Sequence, residues 1–203
     1  AYADINRDGQ PDFLTANFGD DTATLLLSQA ESGAYRRTDL AAGGPGCLDV
    51  RIDDLNQDGR DELILLSAFQ SRLRIYQGDS EARMEASDLD LPFLVQLPLE
   101  FRHNARLKML AAGRFRDRPD KLLAVAGGRE VAFFTLGREG NLQGLQQFDL
   151  PFVPIQLANA DLDGDGVDEL AISHTQPNGV SVFSFAGNGL RQVIAWDLDE
   201  TFH

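Results

Sequence analysis

The sequence predicts an all-β fold, and three observations carry that prediction. Apolar residues run in short stretches of strand length, and no window shows a helical stripe with caps. Turn-forming Gly, Asp, Asn and Pro punctuate those stretches. A nine-residue acidic segment recurs, each time leading into an apolar run. Spacing of this kind belongs to an internal repeat, and repeats decide the architecture before any single element does.

The acidic segment starts at Asp4, Asp54 and Asp161. Its three copies read Asp4-Ile-Asn6-Arg-Asp8-Gly9-Gln-Pro-Asp12, Asp54-Leu-Asn56-Gln-Asp58-Gly59-Arg-Asp61-Glu62 and Asp161-Leu-Asp163-Gly-Asp165-Gly166-Val-Asp168-Glu169. The second gap is about twice the first, which predicts a hidden copy between them. A degenerate one stands there, Gly113-Arg114-Phe115-Arg116-Asp117-Arg118-Pro119-Asp120. It keeps a Pro-Asp ending and has lost the turn glycine. Its arginines crowd around Asp117 and Asp120; either they point into solvent, or a guanidinium stands where the other loops would hold a cation and holds the turn by charge-assisted hydrogen bonds.

Each copy precedes a β-type run: Phe13–Phe18, Leu63–Leu66, Leu122–Ala126 and Leu170–Ser173. A second run follows a polar turn: Ala23–Leu27, Leu73–Tyr76, Val131–Leu136 and Val180–Phe185. A more polar third segment, such as Gly189–Trp196, comes next. A further run then enters the next loop: Cys47–Ile52, Leu107–Leu110 and Pro154–Ala158. Four strands per period predict propeller blades, with repeats near 1–46, 47–106, 107–152 and 153–203 in a single domain. The stretch 91–100 lengthens the second repeat and reads as a longer outer strand or loop.

Within each intact loop, side chains at positions 1, 3 and 5 converge, and glycine at position 6 supplies a turn that a β-carbon would hinder. The carbonyl of position 7 and a carboxylate at position 9 complete a shell of hard oxygen donors suited to Ca²⁺. An EF-hand is excluded, because position 12 is Thr15, Leu65 or Ile172 and strands flank the loop.

The motif D-x-[DN]-x-D-G-x-x-[DE] before an apolar strand resembles the FG-GAP/VCBS repeat, the blade unit of integrin-α-like β-propellers. The resemblance spans essentially the whole chain and implies about three Ca²⁺ sites. One would use Asp4, Asn6, Asp8, the carbonyl of Gln10 and Asp12. The second would use Asp54, Asn56, Asp58, the carbonyl of Arg60 and Glu62. The third would use Asp161, Asp163, Asp165, the carbonyl of Val167 and Glu169. Asp61 and Asp168, at position 8, read as strand-entry residues. The family commonly builds seven blades, so four repeats leave three outcomes open: a small ring, part of a larger propeller, or a homo-oligomer that completes one.

The charge balance agrees. Across 203 residues, 18 basic residues stand against 32 acidic ones, a net −14, with 43% hydrophobic residues. That composition supports a packed core and argues against a nucleic-acid partner. No apolar run is long enough to insert into a membrane. The single cysteine, Cys47, rules out an internal disulfide and reads as a small buried residue. The opening at Ala1-Tyr2-Ala3-Asp4, already inside a motif, reads as a fragment.

An enzyme is not expected. His174 and Ser173 are strand neighbours facing opposite ways, and His174 reads as a strand-end or turn residue. Ala42–Gly46 lacks the ending of a phosphate loop and reads as a turn. Trp196, Tyr2, Tyr35 and Tyr76 form no repeated sugar platform. The expectation is a secreted or periplasmic Ca²⁺-stabilised scaffold for adhesion or protein binding. The rivals are a lectin-like propeller and an accessory part of a polysaccharide-active enzyme. The protein or glycan ligand itself is not legible.

Overall fold

A computed structural model of the chain describes residues 1–67, 69, 72–78, 84–90 by backbone, 109–137, 142–186 and 189–198. The stretch 91–100 lies outside them. The described residues form an all-β fold of sixteen strands in four antiparallel four-stranded sheets.

The first sheet joins β1 (Tyr2–Ala3), β2 (Asp12–Asn17), β3 (Thr22–Gln29) and β4 (Ala34–Ala41) in chain order. The second joins β5 (Cys47–Asp53), β6 (Glu62–Ser67), β7 (Arg72–Gly78) and β8 (Met84–Asp90). The third joins β9 (Met109–Gly113), β10 (Leu122–Gly127), β11 (Glu130–Leu136) and β12 (Leu142–Asp149). The fourth joins β13 (Val153–Ala160), β14 (Glu169–Thr175), β15 (Gly179–Ala186) and β16 (Gly189–Asp197). Neighbouring strands are sequential throughout, as tight hairpin connections require.

The chain divides into two compact units, one built on β1–β8 and one on β9–β16. Each unit has its own core, and the same packing rule builds both. In the first, Leu14, Ala23, Leu25 and Leu27 of the first sheet meet Val50, Leu63, Leu65 and Tyr76 of the second, with Ile5 packed against the cluster. In the second, Phe115 of the loop after β9 and Ala124, Val131 and Phe133 of the third sheet meet Leu157, Leu170, Ile172 and Phe183 of the fourth. Phe133 lies edge-on to Phe115 and Phe185, with centroids 5.4 and 4.8 Å apart, a favoured aromatic geometry.

The inner strands β6 and β10 are buried at every position. Their uninterrupted apolar runs are what two covered faces demand, whereas the outer strands β4, β12 and β16 are mostly exposed.

Candidate metal centre

Strand register fixes where each loop begins and ends. Ala3 pairs with Asp12, Asp53 with Glu62, and Ala160 with Glu169. Each intact loop is therefore the neck of a β-hairpin, with position 9 opposite the residue that precedes position 1.

One network repeats in all three. The position 1 carboxylate takes two backbone N–H groups: Asp4 from Asp8 and Gly9, both at 3.0 Å. Asp54 takes those of Asp58 and Gly59 at 3.1 and 3.0 Å, and Asp161 those of Asp165 and Gly166 at 3.1 and 2.9 Å. Position 5 accepts the N–H of position 7: Asp8 from Gln10, Asp58 from Arg60 and Asp165 from Val167. The Oδ1 of Asn6, Asn56 or Asp163 accepts the N–H of position 5.

Backbone torsions repeat as well. Positions 4 and 6 are left-handed, at φ 59° and 82° for Arg7 and Gly9, 56° and 85° for Gln57 and Gly59, and 79° and 84° for Gly164 and Gly166. Glycine at position 6 takes that region without the strain a β-carbon adds.

Position 9 closes the neck. Asp12, Glu62 and Glu169 are buried and accept the N–H of Ile5, Leu55 and Leu162 at 2.7, 2.8 and 2.9 Å. Burial pushes Glu62 up to about 7, against the N–H bonds of Leu55 and Asn56 and a side-chain bond from Gln77.

Two polar groups on the next strand escaped the sequence reading. The Ser28 hydroxyl lies 2.9 Å from both Asp8 oxygens and 2.9 Å from Asp12 Oδ1, bridging positions 5 and 9. Gln77 does the corresponding work for Glu62. Burial alone would raise Asp8. The Ser28 hydroxyl, the Gln10 N–H and the Asn6 amide outweigh it and hold Asp8 below the usual carboxylate range. A polar residue late in the second run was the available signal, but it carries meaning only once register is known.

The donor set fits a hard divalent cation. Asp161, Asp163 and Glu169 present oxygens within 4.8 Å of one another. The remaining side chains at positions 1, 3, 5 and 9 offer oxygen, with carboxylates at three or four of the four places in each loop. In the first two loops Asn replaces Asp at position 3, and its Nδ2 approaches the next carboxylate, Asp8 at 3.3 Å and Asp58 at 3.2 Å.

The degenerate loop corrects the sequence alignment. Gly113 pairs with Leu122, so position 1 is Arg114, position 3 is Arg116, position 5 is Arg118 and position 9 is Leu122. Its Pro-Asp falls at positions 6 and 7, two residues before that of the first loop, which fills positions 8 and 9. Proline cannot take the left-handed turn of position 6. The loop thus keeps its length and inverts its charge at the three converging positions. Within the loop, Arg116 donates to Asp120 at 2.9 Å, and Arg114 Nε donates to the Arg118 carbonyl at 2.9 Å.

Asp168 is no ligand arm in this arrangement. It accepts the Arg114 N–H at 2.8 Å and the Asn159 amide at 3.0 Å, while its own N–H goes to the Arg114 carbonyl. It fastens the fourth loop to the third.

Other singled-out residues resolve simply. His174 is a strand-end residue, one before the last of β14, buried and stacked on Phe152 at 3.7 Å. Its ring nitrogens meet the Pro177 carbonyl at 2.7 Å and the Ser181 hydroxyl, not that of Ser173, at 3.0 Å. Cys47 is fully buried, and burial pushes its thiol up to about 11. Tyr76 is buried with its hydroxyl on the Ala41 carbonyl, while Tyr2, Tyr35 and Trp196 are exposed. No helix of the described residues is long and apolar enough to cross a membrane.

Residues 4–65 match the FG-GAP-like repeat family, a stretch holding the first two acidic loops. Residues 4–65 thus carry an FG-GAP-like repeat, as the loop motif led us to expect. No curated protein sequence matches it. Among solved structures, it is similar to a protein from Lactobacillus plantarum, at TM-score 0.62 and 12% identity over 94% of this chain and 55% of that one. It is similar to the periplasmic gluconolactonase of Pseudomonas aeruginosa, at TM-score 0.60 and 15% identity over 97% of this chain and 53% of that one. It is also similar to a Bacillus licheniformis rhamnogalacturonan lyase, at TM-score 0.56 and 14% identity over 95% of this chain and 48% of that one. The fold is β-propeller-like, and the chain spans about half the length of these structures.

Proposed function

We propose that the chain is a non-enzymatic, Ca²⁺-binding β-propeller scaffold whose four sheets are blades and whose loops serve adhesion or protein binding. The observation that carries this reading is the threefold recurrence of one oxygen-lined loop, down to its hydrogen bonds and its two left-handed residues. Asp4, Asn6, Asp8 and Asp12 would hold one ion, with the Gln10 carbonyl. Asp54, Asn56, Asp58 and Glu62 would hold another with the Arg60 carbonyl. Asp161, Asp163, Asp165 and Glu169 would hold the third with the Val167 carbonyl.

Bound Ca²⁺ would supply positive charge to facing carboxylates that otherwise repel. The chain's own part is to hold the loop open for it. N–H groups orient positions 1 and 5, and the buried position 9 carboxylate ties the neck to the blade. Such loops outside cells bind at roughly 10⁻⁴–10⁻³ M. That affinity suits a secreted or periplasmic protein.

The test is calorimetric titration of the metal-free chain with CaCl₂, paired with thermal unfolding. About three sites and a rise in melting temperature are expected. No heat and no stabilisation at millimolar Ca²⁺ would sink the reading. A second reading, an accessory scaffold of a polysaccharide-active enzyme or a glycan-binding propeller, draws on the likeness to a rhamnogalacturonan lyase. Glycan-array binding lost on Trp196→Ala would favour it.

A further inference from the structure

The degenerate loop has lost its acidic donors and kept its length, and its backbone shows what the length serves. Arg114, at its position 1, turns both main-chain groups toward the loop of the fourth sheet, Asp161–Glu169. Its N–H donates to Asp168 Oδ2 at 2.8 Å, and its carbonyl accepts the Asp168 N–H at 2.7 Å. The Asn159 amide on β13 donates to the same Asp168 oxygen at 3.0 Å. None of these contacts uses the Arg114 side chain, so the clasp is indifferent to which side chain stands at position 1.

The bond to the Asp168 N–H reaches further than Asp168. That N–H and the Val167 carbonyl belong to one peptide group, and in a planar trans peptide the two point in opposite directions. Holding the N–H on the third loop therefore turns the Val167 carbonyl away from that loop. The Val167 N–H is held in turn by Asp165 Oδ1 at 2.8 Å. Both peptide planes flanking Val167 are thus fixed, one from within its own loop and one from the loop beside it. Val167 lines the same depression as Asp163, Asp165 and Glu169. The clasp is also tight, since a β-carbon on Gly113 would stand 2.2 Å from Asp168 Oδ2.

We propose that the degenerate loop is the positioning element for the Ca²⁺ loop beside it: through Asp168 it aims the Val167 carbonyl, and Asp168 and Gly113 set the affinity of that loop without touching the ion. This role rests on the Ca²⁺ reading above and adds to it a task for a loop with no acidic donor at its converging positions. A carbonyl already held in place needs no ordering when an ion arrives, which is how preorganisation gains affinity. The clasp lies within one compact unit, and the loops at Asp4 and Asp54 lie in the other, so those two serve as internal controls.

Titrating CaCl₂ into the metal-free chain while following amide resonances in nitrogen–proton correlation spectra tests it. The position 6 glycines Gly9, Gly59 and Gly166 report each loop separately, and in the parent all three should shift. Asp168→Ala and Gly113→Ala should each raise the dissociation constant read at Gly166 by about fivefold, the worth of an ordinary net hydrogen bond, and leave those read at Gly9 and Gly59 unchanged. Asp168→Asn separates aim from charge, because it keeps an acceptor oxygen for the Arg114 N–H and loses the negative charge. At about 0.15 M salt, where screening blunts a lost charge, it should stay within about twofold of the parent. Should Gly113→Ala lose the parent's far-ultraviolet circular dichroism, Asn159→Ala loosens the same Asp168 oxygen in its place. Parent affinity at Gly166 in either Asp168→Ala or a folded Gly113→Ala overturns the proposal. So does an Asp168→Asn chain as weak as Asp168→Ala, which would make charge the cause, or a loss shared by all three loops. Three silent glycines in the parent would instead sink the Ca²⁺ reading, and this role with it.

Discussion

At the scale of single residues, the position 9 carboxylate has the clearest physical consequence. Glu62 is 1% exposed, and burial raises its pKa from 4.5 to about 7. Between those values the folded chain holds a proton that the unfolded chain has lost. Stability of the metal-free protein should therefore fall as pH rises from about 4.5 to about 7, then level off. The full shift corresponds to on the order of 3 kcal/mol. Thermal melts of the metal-free chain across pH 5–8 check this, and Glu62→Gln should flatten that part of the profile. A profile that rises through the same window would refute it. Ser28 gives a second test. Its hydroxyl serves Asp8 and Asp12, so Ser28→Ala should cost the metal-free chain about 1–2 kcal/mol by leaving the buried Asp12 carboxylate short of a donor. Chemical denaturation measures that loss. Added Ca²⁺ should shrink it if a cation then faces the same oxygens.

At the scale of elements, the loops and inner strands were legible because both are written locally. An Asp-x-Asn-x-Asp-Gly run sets its own turn, and Leu63–Leu66 is apolar at every position because both its faces are covered. What the sequence hid was register. The degenerate loop was misaligned by its Pro-Asp pair, which resembles the ending of the first loop but sits two positions before the strand pair closes. Only pairing of Gly113 with Leu122 reveals that Arg114, Arg116 and Arg118 take the places of Asp, Asn and Asp. The same lack of register hid Asp168 as a clasp between loops. Its consequence is testable at Gly113, where an added β-carbon would sit 2.2 Å from Asp168 Oδ2 and 2.4 Å from Asn159 Nδ2. Gly113→Ala must displace that clasp and should cost about 1–3 kcal/mol, the range for overpacking a well-filled site. Asp168→Ala should cost a similar amount by orphaning the Arg114 N–H. The double variant should cost less than the two summed, because both remove one clasp. Strict additivity in denaturant melts would show that the two residues act independently.

For the whole molecule, the placement of loops predicts an uneven response to calcium. The unit built on β1–β8 holds two oxygen-lined loops. The unit built on β9–β16 holds one, plus a loop already braced by Arg116 on Asp120 and Arg114 on the Arg118 carbonyl. A loop with guanidinium groups at its converging positions gains nothing from a cation and would repel it. At a tenfold excess over the dissociation constant, each occupied site adds about 1.4 kcal/mol by mass action. The first unit should then gain about twice what the second gains. Amide hydrogen exchange reads each unit separately, since local and sub-global openings report their own free energies. On removing Ca²⁺, protection of β2, β3 and β6 should fall more than that of β10, β11 and β14. Asp58→Ala should abolish part of the first unit's response and leave the second's intact, and Asp161→Ala should do the reverse. Equal losses in both units would mean that calcium acts on the molecule through something other than these loops.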